Sequence, residues 1–164
     1  MKKNISVKIC KLKDASFLLE VYNSGIAGGF FKSNKTVKFK DHILWLKKKL
    51  NNSPSKIYIG YKDKIKFGYT RFDKIKKNIF EASIGNHRKY YGKGLGTKML
   101  CLAIEKFTKY DKPKKITSIV KRSNIRSQKC FLKNNFKRIK FDKIKHKTLK
   151  KINTKKEYYY EYLL

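Results

Sequence analysis

At the start of the chain Ile5, Val7 and Ile9 alternate with Ser6 and Lys8, and a period of two predicts a strand with one buried face. The period then lengthens. Asp14 stands as an N-cap before Phe17, Leu18, Val21 and Tyr22, whose spacing predicts a first helix. Gly25, Gly28, Gly29 and Asn34 predict a loop or broken helix over residues 23–35. Phe39, Ile43, Leu46 and Leu50 restore a helical stripe, which Asn51-Asn52-Ser53-Pro54 ends. Two strands, 56–61 and 65–73, joined by the polar turn Lys62-Asp63-Lys64, predict a hairpin, and a strand over 79–85 completes a meander. Met99, Leu100, Ala103, Ile104 and Phe107 form the core face of a third helix, starting at Gly96 or Thr97 and reaching Lys109. Beyond Pro113 come a strand over 115–121, a fourth helix over 125–134 and two strand-like segments, 136–141 and 157–164. Tyr158, Tyr159 and Tyr160 suit the last of these because tyrosine favours strands.

The element order is therefore β α α β β β α β α β β, an α/β (α+β) chain without internal repeats or a linker. Its 164 residues amount to one domain, 1–164, with material for one substantial core. A hydrophobic fraction of 40% with only two prolines excludes a disordered tail. No apolar run approaches the roughly 18 residues needed to cross a bilayer, so no membrane association is expected. The lysine-interrupted start argues against a secretory leader, and the reading places the protein in the cytoplasm. Cys10, Cys101 and Cys130 are far apart and form no C-x-x-C pair, which argues against disulfides and against a zinc site. They are expected as reduced core residues, and no metal is expected.

Charge changes the picture of the ligand. The chain carries 44 basic and 11 acidic residues, a formal charge of +33. Lysine supplies 39 of the cations and arginine only 5, spread over nearly every segment, whereas phosphate and base recognition usually draws on the arginine fork. That distribution disfavours nucleic acid. What it does predict is a bias in substrate sign, since a positive field concentrates small anions. The densest stretch, residues 137–156, holds nine lysines and Arg138 against Asp142, and reads either as a steering surface for a polyanion or as simple exposure.

Candidate chemistry centres on Tyr91-Gly92-Lys93-Gly94-Leu95-Gly96-Thr97, between a strand and an amphipathic helix. Glycines let the backbone approach a ligand and adopt positive φ, and a helix start offers unpaired N–H groups with the positive end of the dipole. A pyrophosphate fits there. The string satisfies neither the Walker pattern nor G-x-G-x-x-G, so taken alone it is equally a tight strand-to-helix connection.

With its context, the segment resembles the GCN5-related N-acetyltransferase (GNAT) family, whose acetyl-CoA loop reads Q/R-x-x-G-x-G/A. Gly94 and Gly96 match, while Tyr91 replaces the usual Gln or Arg. A second signature follows in Asn124, Ser127, Phe131 and Asn135-Phe136, with Asn at a position where glycine is usual and αL geometry is needed. The resemblance covers nearly the whole chain. It implies a GNAT fold, a central mixed and mostly antiparallel sheet flanked by helices, and transfer of acetyl from acetyl-CoA to a primary amine.

It also implies site residues. Ile84, Gly85, Tyr91, Gly92, Lys93, Gly94, Leu95, Gly96 and Thr97 would hold the coenzyme, with Asn124, Ser127 and Phe131 from the second signature. Asn124 suits an N-cap equally well. The amine must lose its proton and the thioester oxygen needs donors. Glu81, on the strand before the loop, is ranked first as the base, His87 competes, and Tyr90, Tyr91 or water are the candidates to replace the hydroxyl lost where many members have Tyr and this chain has Phe131. His42, Trp45 and Arg71 are expected at the acceptor. Within the family the closest likeness is to enzymes acetylating the 4-amino group of a UDP-linked amino sugar for nonulosonic acids such as pseudaminic acid. It rests on His42-Ile43-Leu44-Trp45, on 67–73 and on Glu81. A peptide or ribosomal-protein N-terminal acetyltransferase is the enzymatic alternative, and a nonenzymatic basic module holding CoA or RNA is the other class. A monomer or homodimer is expected.

Overall fold

A computed structural model describes residues 4–30, 35–51, 53–145, 148 and 150–164. The described residues form one sheet of seven strands in the order β1-β2-β3-β4-β5-β7-β6. The strands are β1 (Ile5–Ile9), β2 (Lys56–Lys62), β3 (Ile65–Lys76), β4 (Ile79–Asn86), β5 (Lys115–Lys121), β6 (Lys137–Ile139) and β7 (Glu157–Leu163). Every neighbouring pair is antiparallel except β4 and β5, which run parallel and pair only from Ile79 to Glu81 against Lys115 to Thr117. Beyond Glu81 the parallel ladder stops. The rest of β4 therefore carries backbone groups that β3 satisfies on one side and β5 no longer meets on the other.

Helices α1 (Ala15–Ala27) and α2 (Phe39–Asn51) cover one face of the sheet; α3 (Leu95–Asp111) and α4 (Ile125–Lys133) cover the other. The apolar stripe of α3, Met99, Leu100, Ala103, Ile104 and Phe107, is buried as its spacing predicts and packs on Phe67, Phe72 and Phe80. Phe107 stacks on Phe72 with ring centroids 4.2 Å apart and takes the edge of Phe80 at 4.8 Å. The opposite layer is smaller: Leu18, Val21 and Leu46 meet Ile57, Ile59 and Tyr69.

The element order matches the expected one, and four local readings need correction. The first helix runs on through residues read as loop, because Gly25 and Ile26 are buried on it and Asn23 ties its amide to both backbone groups of Val37. Asp14 precedes that helix without capping it; its carboxylate accepts from the Lys11 amide and pairs with Lys66 at 2.6 Å. The strand expected over 136–141 shortens to three residues, with Phe141 in a 3-10 turn. Of the cysteines, Cys10 and Cys130 are buried, but Cys101 is exposed on α3. No helix among the described residues is long and apolar enough to cross a membrane. No cluster of metal-ligating side chains occurs among them.

Candidate active site

The splay between β4 and β5 opens a cleft of about 230 Å³, walled by α1, the end of β4, the glycine loop, the start of α3 and α4. Gly92 and Gly94 have φ of +74° and +70°, a region L-residues enter at a cost. A Cβ at either would meet no protein atom within 4 Å, so the loop presents bare backbone to open space. α3 starts at Leu95 with neither a side-chain cap nor an acid in its first turn. Its first N–H groups thus keep both their hydrogen-bonding capacity and the dipole's positive end. Across the cleft α4 turns Arg126, Lys129 and Lys133 inward. A backbone cradle faced by three cations fits a polyphosphate.

Ile84, Gly85, Tyr91, Gly92, Gly94, Leu95, Gly96, Thr97, Asn124 and Ser127 all line this cleft. Asn124 Oδ1 accepts from the Ser127 amide at 3.1 Å, so it does cap α4 while facing the cleft. Two expected members sit elsewhere. Lys93 folds back, donating to the Lys89 carbonyl at 2.8 Å over the Tyr90 ring. Phe131 is only 1% exposed, held in the core between Phe136 and Tyr160, because the half of α4 opposite Arg126 faces the sheet. Tyr91 carries Arg126 over its ring at 4.9 Å and meets the edge of Phe30. Burial pushes its hydroxyl above the ordinary tyrosine value against the nearby Arg126 and Arg88, so it stays protonated.

A second cavity of about 350 Å³ lies on the α1/α2 face, and Tyr22, Asp41, His42, Trp45, Tyr69 and Arg71 line it. His42 and Trp45 meet with ring centroids 5.3 Å apart, and the Arg71 guanidinium lies 5.4 Å from the Trp45 ring. Asp73 holds Arg71 Nε and Lys49 Nζ, each at 2.6 Å. Burial raises the Asp73 carboxyl, but Arg71 and Lys49 outweigh it and leave its pKa below the usual value.

The two cavities are separated by one layer. Gly85 and Val21 wall the first, Tyr69 the second, and a Cβ on Gly85 would stand 2.7 Å from Tyr69 Cε1 and 3.1 Å from Val21 Cγ1. Only glycine lets β4 lie this close to both.

Register puts Glu81, Ser83 and Gly85 on the Arg71 side of the sheet, opposite Asp73, Arg71 and Tyr69 in turn. Glu81 sits where the parallel ladder ends, opposite Thr117, and its charge reaches Tyr159; it lines neither cavity. His87 likewise lines neither cavity. Its Nε2 lies 2.8 Å from Glu20 Oε1 and its Nδ1 accepts from the Lys89 amide, so the ring closes a turn. The cations of α4 escaped the sequence reading although Arg126, Lys129 and Lys133 recur at i, i+3 and i+7 on the helix that Asn124 caps. Asn86, Tyr22 and Tyr69 carried no comparable signal.

Two cavities lie on either side of one thin wall, and the one on the loop side, with its bare backbone N–H groups and three facing cations, suits an anionic ligand. Comparison with known proteins gives the chain a family. The sequence profile described as acetyltransferase (GNAT) domain matches residues 29–137. The chain belongs to the GNAT acetyltransferase domain family and is an acetyl-CoA-dependent N-acetyltransferase. Comparison with curated proteins finds no match. Among solved structures, yncA from Salmonella typhimurium, described with its cofactor acetyl-CoA, is 15% identical with a TM-score of 0.79, covering 98% of this chain and 94% of that one. Spermidine N-acetyltransferase from Vibrio cholerae, in complex with CoA and spermine, gives 13% identity and 0.80, covering 97% and 95%. Ribosomal-protein-alanine N-acetyltransferase from Brucella melitensis gives 14% and 0.78, covering 96% and 99%. These likenesses establish the shared fold.

Proposed function

We propose that this enzyme acetylates the 4-amino group of a UDP-linked amino-deoxy sugar. The observation that carries the reading is the second cavity, where Trp45, Tyr22 and Tyr69 offer aromatic surface and Arg71 supplies a guanidinium, one glycine away from the donor cleft. Aromatic faces pack against sugar rings, and an arginine fork suits a phosphate oxygen pair. The volume suits one sugar ring with the phosphate that Arg71 meets, which leaves the nucleoside outside the cavity. A formal charge of +33 draws such an acceptor in and repels polyamines. Peptide N-termini on basic tails suit the field less well for the same reason.

On the donor side, the backbone N–H groups from Gly92 to Gly96 hold the diphosphate, with Arg126, Lys129 and Lys133 balancing charge and Asn124 and Ser127 facing it. When bound, acetyl-CoA supplies a thioester carbon open to attack by an amine. The part of β4 that β5 does not cover, at Ile84 and Gly85, supplies amide hydrogen for the thioester oxygen. Tyr91, kept protonated, is the hydroxyl on the cleft side.

The test is thiol release from acetyl-CoA with a panel of amines. A UDP-linked 4-amino sugar is expected to turn over with the highest kcat/KM, ahead of spermidine and of peptides with free N-termini. Preference for spermidine or a peptide would overturn the acceptor assignment, and absence of thiol release with every amine would overturn catalysis as well.

A further inference from the structure

The second cavity contains a group with an unmet hydrogen-bonding need. His42 is 6% exposed on the first turn of α2, it lines the cavity, and its Nε2 is buried with no hydrogen-bond partner among the described residues. A neutral imidazole carries its proton on one nitrogen only, and with the proton on Nδ1 the buried Nε2 is a lone pair without a partner. A buried acceptor is rarely left unpaired, and a water or a ligand in the cavity completes it.

We propose that His42 Nε2 is the group that takes the proton from the acceptor amine. The inference rests on the reading of the second cavity as the acceptor site, and not on the acceptor being a sugar. An amine enters as an ammonium ion, donates a hydrogen bond to Nε2 and gives up one proton to it. Its freed electron pair then forms the C–N bond to the thioester carbon while the C–S pair departs on sulfur. The second proton lost from nitrogen ends on that sulfur, giving the free thiol, and imidazolium returns the first proton to solvent.

The surroundings favour this role. Burial holds the ring below the ordinary histidine value, against a hydrogen bond with the Ala15 backbone, so it is neutral and able to accept near pH 7. Of the charged and titratable groups around it, Asp41 belongs to α2 itself, Tyr22 comes from α1, and Tyr69 and Arg71 come from β3. Burial pushes Tyr69 up to about 12, so it stays neutral. The turn before α1 brings Asp14, which is committed to Lys66, and β2 brings only Ile57. Trp45 lies against the ring, tilted by 31° at 5.3 Å between centroids, and the Arg71 guanidinium lies over Trp45. Of the other proton acceptors expected, Glu81 lines neither cavity and His87 is engaged by Glu20.

Two measurements test the assignment. In the first, His42→Gln and His42→Asn are compared with the unaltered enzyme across the neutral and alkaline range, using a UDP-linked 4-amino-deoxy sugar and, in parallel, whichever amine the acceptor panel shows to turn over. The expected result is a loss of about a hundredfold in kcat, unchanged affinity for coenzyme A, and recovery of rate as rising pH supplies free amine. A loss confined to KM, or a pH profile identical to that of the unaltered enzyme, overturns the proposal. If the sugar is inert and another amine is acetylated, the sugar reading falls while His42 is judged on that amine. In the second, nitrogen chemical shifts of His42 in the unaltered protein are expected to show Nδ1–H with unprotonated Nε2. An Nε2–H tautomer overturns the assignment, and this result decides the matter if the variants fail to bind coenzyme A.

Discussion

Gly94 couples the conformation of the donor loop to its ligand, and two substitutions there separate strain from obstruction. Its φ of +70° places it in the left-handed region, and a side chain added to it would project into open space. In Gly94→Ala the backbone strain of about 1–2 kcal/mol is partly offset by about 0.4–1 kcal/mol from a less flexible unfolded chain. The net loss, about 1 kcal/mol, corresponds to a melting-temperature drop of roughly 2–4 °C for a domain of this size. Gly94→Asn is expected to melt close to the unaltered protein, since Asn tolerates this conformation. Both variants place a Cβ where a phosphate must come up to bare N–H groups. Losing one charge-assisted hydrogen bond costs about 1.5–3 kcal/mol, so coenzyme A affinity should weaken by about tenfold to a hundredfold. Calorimetric titration with coenzyme A and thermal melts of the ligand-free proteins measure the two effects separately. If both variants bind coenzyme A within about twofold of the unaltered protein, the diphosphate does not rest on this loop and the donor site has been misplaced.

Arg71→Lys keeps the charge but loses the fork and the stack on Trp45, and should raise KM for a nucleotide-sugar acceptor by about tenfold with KM for acetyl-CoA unchanged. Asp73 has a depressed folded-state pKa, so its contribution to stability is complete above its unfolded value and is lost as pH falls through the folded one. Asp73→Asn should therefore flatten the decline of melting temperature below about pH 4, whereas an unchanged acid limb in denaturation curves would count against the Lys49–Asp73–Arg71 cluster. Thiol titration of the native protein should show one fast group, Cys101, because burial pushes Cys10 to about 12 and Cys130 to about 11; all three should react after denaturation.

The glycine-loop cleft was legible because most of it is local. Its glycine loop and the first turn of α3 occupy consecutive positions, and the alternating or helical periods around them locate the strand and helix that must flank such a turn. Asn124 and Ser127 belong to one helix start and were readable together. Phe131 was misread because its position on α4 follows the motif while its exposure depends on which face of that helix meets the sheet. Lys93 sits among the loop's glycines, yet its long side chain reaches back to Lys89.

The acceptor side depended on contacts between distant segments. His42 and Trp45 advertise themselves on α2, but Tyr22, Tyr69 and Arg71 join them only because α1 and β3 pack against that helix. The strand of Glu81 was readable but its surroundings were not, since alternation names two faces and only register with Asp73 and Thr117 says what each face meets.

Sequence alone determined the order of elements, the buried stripe of α3 and the glycine loop at its start, since each depends on residues a few positions apart and on backbone preference. Tertiary structure alone decided that β4 and β5 part company after three pairs, that Gly85 lies between Val21 of one cavity wall and Tyr69 of the other, and that His42, its Nε2 buried and unpaired, lines the second cavity. Those outcomes arise where strands and helices remote in the chain compete for the same space, and no local period records who wins.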